Sequence, residues 1–360
     1  MKHLNLLKST LLLCALIVGS TSVWANPGDE IKSPGDVVSG KWYYIKGVTT
    51  ISSVETIMYY GPTEVDTKNT KVTSNAVTDI SNAMPVKFTA VSGGWTIETP
   101  NGNYIRPHSS NGQSYFQESA ISFTLESGKT KEGTGKGIKI GKYTASGNDW
   151  YLQANNSSLK IGGYKNTQYD VTLVEAYTPA TFAVGKTMIS ISRTIGALDL
   201  AHMPSGLKAY KVSSANASSV TLTEVTEAVA KKTGLILTGT AGETYNIPVV
   251  GSGTDISASN LLVAANGTDN VTSAYVLSDG KFHPVAAAGV VIPAGKAYLP
   301  AGSLSAHELD ITFDNGDVTG IEAVETQKAF DGAFYNLNGQ RVAQPAKGLY
   351  IVNGKKVVIK

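Results

Sequence analysis

From Lys41 onward, short apolar and aromatic runs alternate with polar positions at a period near two. Trp42-Tyr43-Tyr44-Ile45, Ile57-Met58-Tyr59-Tyr60, Val86-Lys87-Phe88 and Trp95-Thr96-Ile97-Glu98 each read as a strand. Asn101-Gly102 and Asn111-Gly112 mark turns on either side of Asn103-Tyr104-Ile105-Arg106. Strands are expected again at Ser122-Phe123-Thr124-Leu125, Ile138-Lys139-Ile140, Trp150-Tyr151-Leu152-Gln153 and Val171-Thr172-Leu173-Val174. No stretch of this region keeps an apolar period near 3.6 long enough to predict a helix. A weak repeat is visible: Tyr104-Ile105 leads through Tyr115 to Phe123, and Tyr151-Leu152 leads through Tyr164 to Val171. Repeated hairpins of this kind suit a small β-barrel or a trefoil-like arrangement over residues 41–177.

Punctuation changes after Tyr177-Thr178-Pro179-Ala180. Short strands separated by Gly, Pro or Asn-Gly follow, among them Val220-Thr221-Leu222-Thr223, Gly234-Leu235-Ile236-Leu237, Tyr245-Asn246-Ile247-Pro248 and Ala297-Tyr298-Leu299. That rhythm predicts a β-sandwich-like domain over residues 181–318. Glu224 to Lys232 carries a weak helical pattern, which Thr226 and Val229 count against. Residues 26–40 and 319–328 read as linkers, and residues 329–360 as a short C-terminal β-meander with turns at Asn338-Gly339 and Asn353-Gly354. The expected fold class is therefore all-β. Its 37 Gly, 17 Tyr and frequent Thr, Ser and Val favour strands and turns over helices.

Charge narrows the partners. The formal net charge of +2 comes from Lys2 and Lys8, and without them 28 basic residues face 28 acidic ones. A neutral chain offers polyphosphate no attraction, so no nucleic-acid partner is expected. Residues 1–25 have the layout of a secretory signal peptide: a charged start, an apolar run from Leu11 to Val18, and Val23-Trp24-Ala25 as a cleavage signal after Ala25. The apolar run is short for a membrane span. Cleavage there removes Cys14, the one cysteine, and with it disulfides, thiol catalysis and cysteine-bound zinc.

The tail is the most specific segment. Asn338-Gly339-Gln340-Arg341-Val342, Gly348-Leu349-Tyr350-Ile351-Val352 and Asn353-Gly354-Lys355-Lys356-Val357-Val358 resemble the C-terminal sorting domain of proteins exported by the type IX (Por) secretion system. The resemblance covers roughly residues 329–360. It implies recognition by the type IX machinery after Sec export to the periplasm, delivery to the outer cell surface or medium, and Gly339, Gly348, Tyr350, Gly354 and Lys356 as residues of the sorting signal. The first module, with Asn103-Tyr104-Ile105, Trp150-Tyr151-Leu152-Gln153-Ala154-Asn155 and Tyr164-Lys165-Asn166, resembles a non-catalytic β-module of large secreted proteins of the same bacterial group. It lacks the Gln-x-Trp signature of ricin-type lectins, so sugar specificity does not carry over. The second region resembles a β-domain, also without known catalysis, that often precedes such tails.

Catalytic patterns are not found. His108, His202, His283 and His307 show no metal-pair spacing, and Gly251-Ser252-Gly253 is too short for a nucleophile elbow. Gly133-Thr134-Gly135-Lys136-Gly137 lacks phosphate-loop spacing, and Asp314-Asn315-Gly316-Asp317 lacks the closing glutamate of an EF-hand. Glu98, Glu118, Glu126 and Asp149 offer carboxylates, but nothing in the sequence sets two of them the roughly 5–9.5 Å apart that glycoside hydrolysis requires. No cofactor and no metal are expected. Aromatic residues remain. Trp95, Tyr104, Trp150, Tyr151 and Tyr164 lie among Asn, Gln and Ser, the combination that recognises glycan or protein by ring faces and oriented amides; the plainer account is core filling. Trp150 and Tyr151, adjacent on one strand, must face opposite sides.

The expectation is a secreted or surface-attached, non-catalytic binding or adhesion protein. The alternatives are an accessory or inhibitor of an extracellular enzyme and a structural surface component. An exposed aromatic groove favours the first, a long protruding loop the second, and an extended apolar patch the third.

Overall fold

A run of ten residues, Trp42–Ile51, begins the main body, and the hairpin that follows shows how local chemistry shapes it. Ile51 pairs with Val54, so the turn is Ser52-Ser53, with φ of +48° and +66°. Positive φ at both central positions gives a turn whose twist matches that of the strands it joins. The computed structural model describes residues 27–61, 70–73, 76–314, 334–336, 341–342, 347–352 and 355–359. Ala25, Gly339 and Gly354, named from the sequence, lie outside the described residues. Strands, turns and four short 3₁₀ turns make up what is described, without an α-helix among those residues. The fold is all-β. Among the described residues no helix is long and apolar enough to cross a membrane.

Fourteen strands form the first sheet. Its path runs Glu30–Ile31, Thr172–Glu175, Trp42–Ile51, Val86–Val91, Gly94–Glu98, Tyr104–Pro107, Gln113–Gln117, Ile161–Tyr164, Asn148–Ala154, Gly133–Ala145 and Thr124–Thr130, with every pairing antiparallel. Backbone bridges Ile138↔Val171 and Trp95↔Phe123 link strands distant along that path, so the sheet curls on itself. Glu30 and Ile31, expected in a linker, instead pair with Val174 and Leu173. Alternation places Ser114 and Phe116 inside and Gln113, Tyr115 and Gln117 towards solvent. Tyr43, Ile45, Met58, Phe88, Ile97, Ile105, Phe116, Ile140, Leu152 and Leu173 fill the interior. Each side chain of this size is worth about 1.5–3 kcal/mol when fully buried. Gly162 and Gly163 have a backbone role: a Cβ at Gly162 would stand 2.6 Å from the Gly112 carbonyl carbon, so only glycine lets this strand pass so close.

Residues 177–314 build smaller sheets. Tyr177–Thr181 and Ala197–Leu198 flank Thr244–Val250. A five-stranded sheet runs Met188–Ile191, Leu235–Thr238, Lys208–Ala215, Ser219–Glu224 and Asp310–Phe313, and its last pair is parallel. Val212, Val220, Leu222 and Ile236 of that sheet pack on Tyr275, Phe282 and Leu299 of a second sheet. Residues 224–232 form no helix; Val229 instead bridges Leu198 and Thr254, as its β-branched side chain favours.

The two regions share a core. Tyr43 and Ile45 point into the first sheet's interior, whereas Tyr44 between them packs with Phe182, Leu198, Leu235 and Val249 of the second region. Leu235, Ile236 and Leu237 likewise divide between two cores, which explains an unbroken apolar run on a strand.

In the tail, Phe334–Tyr335 sits between Arg341–Val342 and Gly348–Val352, and Lys355–Ile359 completes the sheet. The order departs from a simple meander because the first strand lies inside. Phe334 and Tyr350 meet edge to face at 6.0 Å. Gly348 has φ of +158°, and Lys356 lies opposite Ile351.

Candidate ligand-binding surface

Alternation on neighbouring strands decides which aromatic residues reach solvent. Trp95, half-buried, packs against the first core, and its backbone is tied to Phe123 by two bonds of 2.8 Å. Trp150 is 5% exposed, faces Tyr143 across the strand pair, and has the Lys165 ammonium 5.2 Å from its ring centroid. Its indole Nε1 is buried without a hydrogen-bond partner. Both tryptophans serve packing first.

Tyr151 takes the other side of the same strand and lies directly opposite Tyr164. The Tyr164 ring is buried and its hydroxyl accepts a bond from Asn155 Nδ2 at 3.1 Å. Burial pushes the phenol of Tyr164 above its usual value, with the Asn155 bond pulling the other way. Tyr151 is half-buried, with Lys139 Nζ 5.3 Å from its ring centroid. Tyr104 lies elsewhere, between Glu98 and Gln117. The five aromatic residues therefore do not form one platform.

What gathers around Tyr104 is different. Tyr104–Pro107 pairs with Gln113–Gln117 so that Tyr104 meets Gln117 and Arg106 meets Tyr115. The Arg106 guanidinium lies 4.1 Å from the Tyr115 ring centroid and 4.3 Å from that of Tyr143. Its Nε donates to Gln117 Oε1 at 2.8 Å and its Nη1 to the Pro107 carbonyl at 3.2 Å. His108 extends the stack, its ring 6.0 Å from Tyr115 and inclined by 22°. Burial, then the charges of Arg106 and Lys71, holds the His108 imidazole below its usual pKa. A cation between two ring faces gains electrostatic attraction and loses rotamer freedom before any ligand arrives. Comparison with protein-family models, curated proteins and solved structures returns no match. Function therefore rests on geometry.

Arg106 and Tyr143 were not singled out from the sequence, and His108 was weighed there only as a metal ligand. One signal was available for Arg106: the Asn111-Gly112 turn places it opposite Tyr115 once the hairpin is drawn. Tyr143 carried none, because it enters by way of a bulge between Gly141 and Tyr143.

Carboxylates on these strands have separate partners. Glu98 binds Lys87 at 2.7 Å, and Glu126 accepts from Thr124 Oγ1 at 3.1 Å. Asp149 accepts from Thr144 at 2.6 Å and Lys142 at 3.1 Å, bonds that hold its carboxyl below the usual range. Among the described residues no group of three or more His, Cys, Asp or Glu is placed to hold a metal ion. The Tyr104–Arg106–Tyr115–Gln117 strip offers flat faces, a fixed cation and an amide. Such a set can desolvate and orient a partner, but it supplies no nucleophile.

Proposed function

We propose that this chain is an exported, non-catalytic binding protein that recognises glycan or protein at the outer cell surface. Its signal peptide directs Sec export, and residues 329–360 direct passage through the type IX machinery. The observation that carries the binding half is the Arg106 guanidinium held between Tyr115 and Tyr143 beside Gln117 and Tyr104. Side chains already fixed by one another lose little entropy on binding, so contact energy becomes affinity. Half-exposed Tyr and Arg are also the residues that dominate recognition surfaces. The binding half is tested on glycan and surface-protein arrays with the mature protein and a Tyr104→Ala/Tyr115→Ala variant. Array signal in the mature protein and at least a tenfold loss in the variant is expected; equal signal refutes the surface. The sorting half is tested by truncation before Ala329, which should leave the protein in the periplasm. A truncated protein found on the cell surface refutes it.

A further inference from the structure

The seam between the two regions holds a cavity of about 490 Å3. Lys41, Trp42 and Glu175 line it from the first sheet, and Asp199, His202 and Met203 from the 3₁₀ turn Leu200–His202 and its flanks. Its volume falls within the roughly 300–1,000 Å3 of small-ligand sites, and its walls, like theirs, are mostly apolar with a few polar groups.

Those polar groups are held in place. Asp199 caps the 3₁₀ turn by accepting from the Ala201 amide at 3.2 Å, and its second oxygen meets His202 Nδ1 at 2.7 Å. Glu175 is paired with Lys41. Trp42 is fixed too: the Lys87 ammonium lies 5.6 Å from its ring centroid, and the bare backbone at Gly251 lets the indole edge lie where a side chain would collide. A positioned indole is a platform for the C–H face of a ring.

Charge selects the ligand. An anion entering the cavity meets the carboxylates of Glu175 and Asp199; a cation meets the Lys41 ammonium. A neutral ligand rich in hydroxyl groups avoids both penalties, because its hydroxyls donate to a carboxylate or to the imidazole Nε2 of His202, whose Nδ1–H is turned to Asp199, and accept from an ammonium. We propose that this cavity is a binding site for a neutral pyranose sugar, with Trp42 as stacking platform and Glu175, Asp199 and His202 as hydroxyl partners. This site is separate from the Tyr104–Arg106–Tyr115 surface.

The test is 19F NMR of the mature protein labelled with 5-fluorotryptophan, with the Trp42 signal assigned through Trp42→Phe. It is titrated with maltose, cellobiose and lactose as neutral probes, sialyllactose as the anionic probe and glucosamine as the cationic one. At least one neutral disaccharide should move the Trp42 signal saturably, with Kd of about 1 mM. His202→Ala, at an exposed position, should weaken that titration at least fivefold without changing the thermal midpoint, and His307→Ala should leave it unchanged. The site is refuted if no neutral disaccharide moves the signal at 50-fold that concentration. It is equally refuted if a charged probe binds tighter than every neutral one, or if His202→Ala binds as the parent does. The array result with Tyr104 and Tyr115 substituted does not depend on Trp42, so either reading can fail alone.

Discussion

Arg193 is 3% exposed, and no carboxylate forms an ion pair with it among the described residues. Its charge is met by oxygen acceptors from both regions. Nη1 donates to Thr178 Oγ1 at 2.7 Å and to the Ser81 carbonyl at 3.2 Å; Nη2 donates to Tyr44 Oη at 2.8 Å and to the Ala83 carbonyl at 3.1 Å. Burial pushes the guanidinium pKa down, while Tyr44 and Asp79 act in the opposite sense. Arg193→Ala strips four acceptors of their donor and opens a void at the seam. A hydrogen bond to a charged group is worth about 1.5–3 kcal/mol, but removing the buried cation returns several kcal/mol of desolvation cost. The net loss should be about 3–5 kcal/mol, from the void left at the seam together with neutral acceptors that lose their donor. Arg193→Met fills the space and removes the desolvation cost, so it should lose about 1–3 kcal/mol. Urea unfolding followed by tryptophan fluorescence and by circular dichroism measures both variants. Arg193→Ala losing less than about 1 kcal/mol, with parental slope, would refute the view that this cation joins the two regions.

Tyr44 adds an alkaline limb to the same seam. Burial raises its phenol from 10.0 to about 12, outweighing the pull of Arg193. A raised folded-state pKa gives stability that is whole below pH 10 and is lost as pH climbs through 12, about 3 kcal/mol for this group. Tyr44→Phe should flatten that decline in pH-dependent urea midpoints; an unchanged slope would contradict it. Ser52 and Ser53 hold left-handed φ that non-glycine residues rarely adopt. Ser52→Asn with Ser53→Gly should raise stability by about 1 kcal/mol in thermal unfolding, and a loss would show that the hydroxyls matter more than the strain. Gly251→Ala would drive a methyl into the Trp42 indole and should lower stability by about 1–3 kcal/mol, with a shifted tryptophan emission; parental behaviour would show that the seam yields there.

Much of the fold was legible because strand formation is local. Alternation along Gln113–Gln117, the glycine turns at residues 101–102 and 111–112, and the apolar run at Leu235 depend on neighbours a few residues away. The opposite facing of Trp150 and Tyr151 follows from the strand period alone. Which side becomes interior is a different question. Trp150 is buried and Tyr151 half-buried because of the strands that curl around them.

All-β character, turn positions and the lack of excess charge thus belong to the sequence by itself, since backbone preference and side-chain period act within a hairpin. Tertiary structure decided the rest. It paired Glu30 with Val174, turned Tyr44 into a second core, set Asp310–Phe313 parallel to Ser219–Glu224, and closed Arg193 onto the Tyr44 hydroxyl and the carbonyls of Ser81 and Ala83 around the 3₁₀ turn Ile80–Asn82. Each of these joins segments far apart along the chain, where no local period reaches. Only the burial gained when two sheets meet selects such partners.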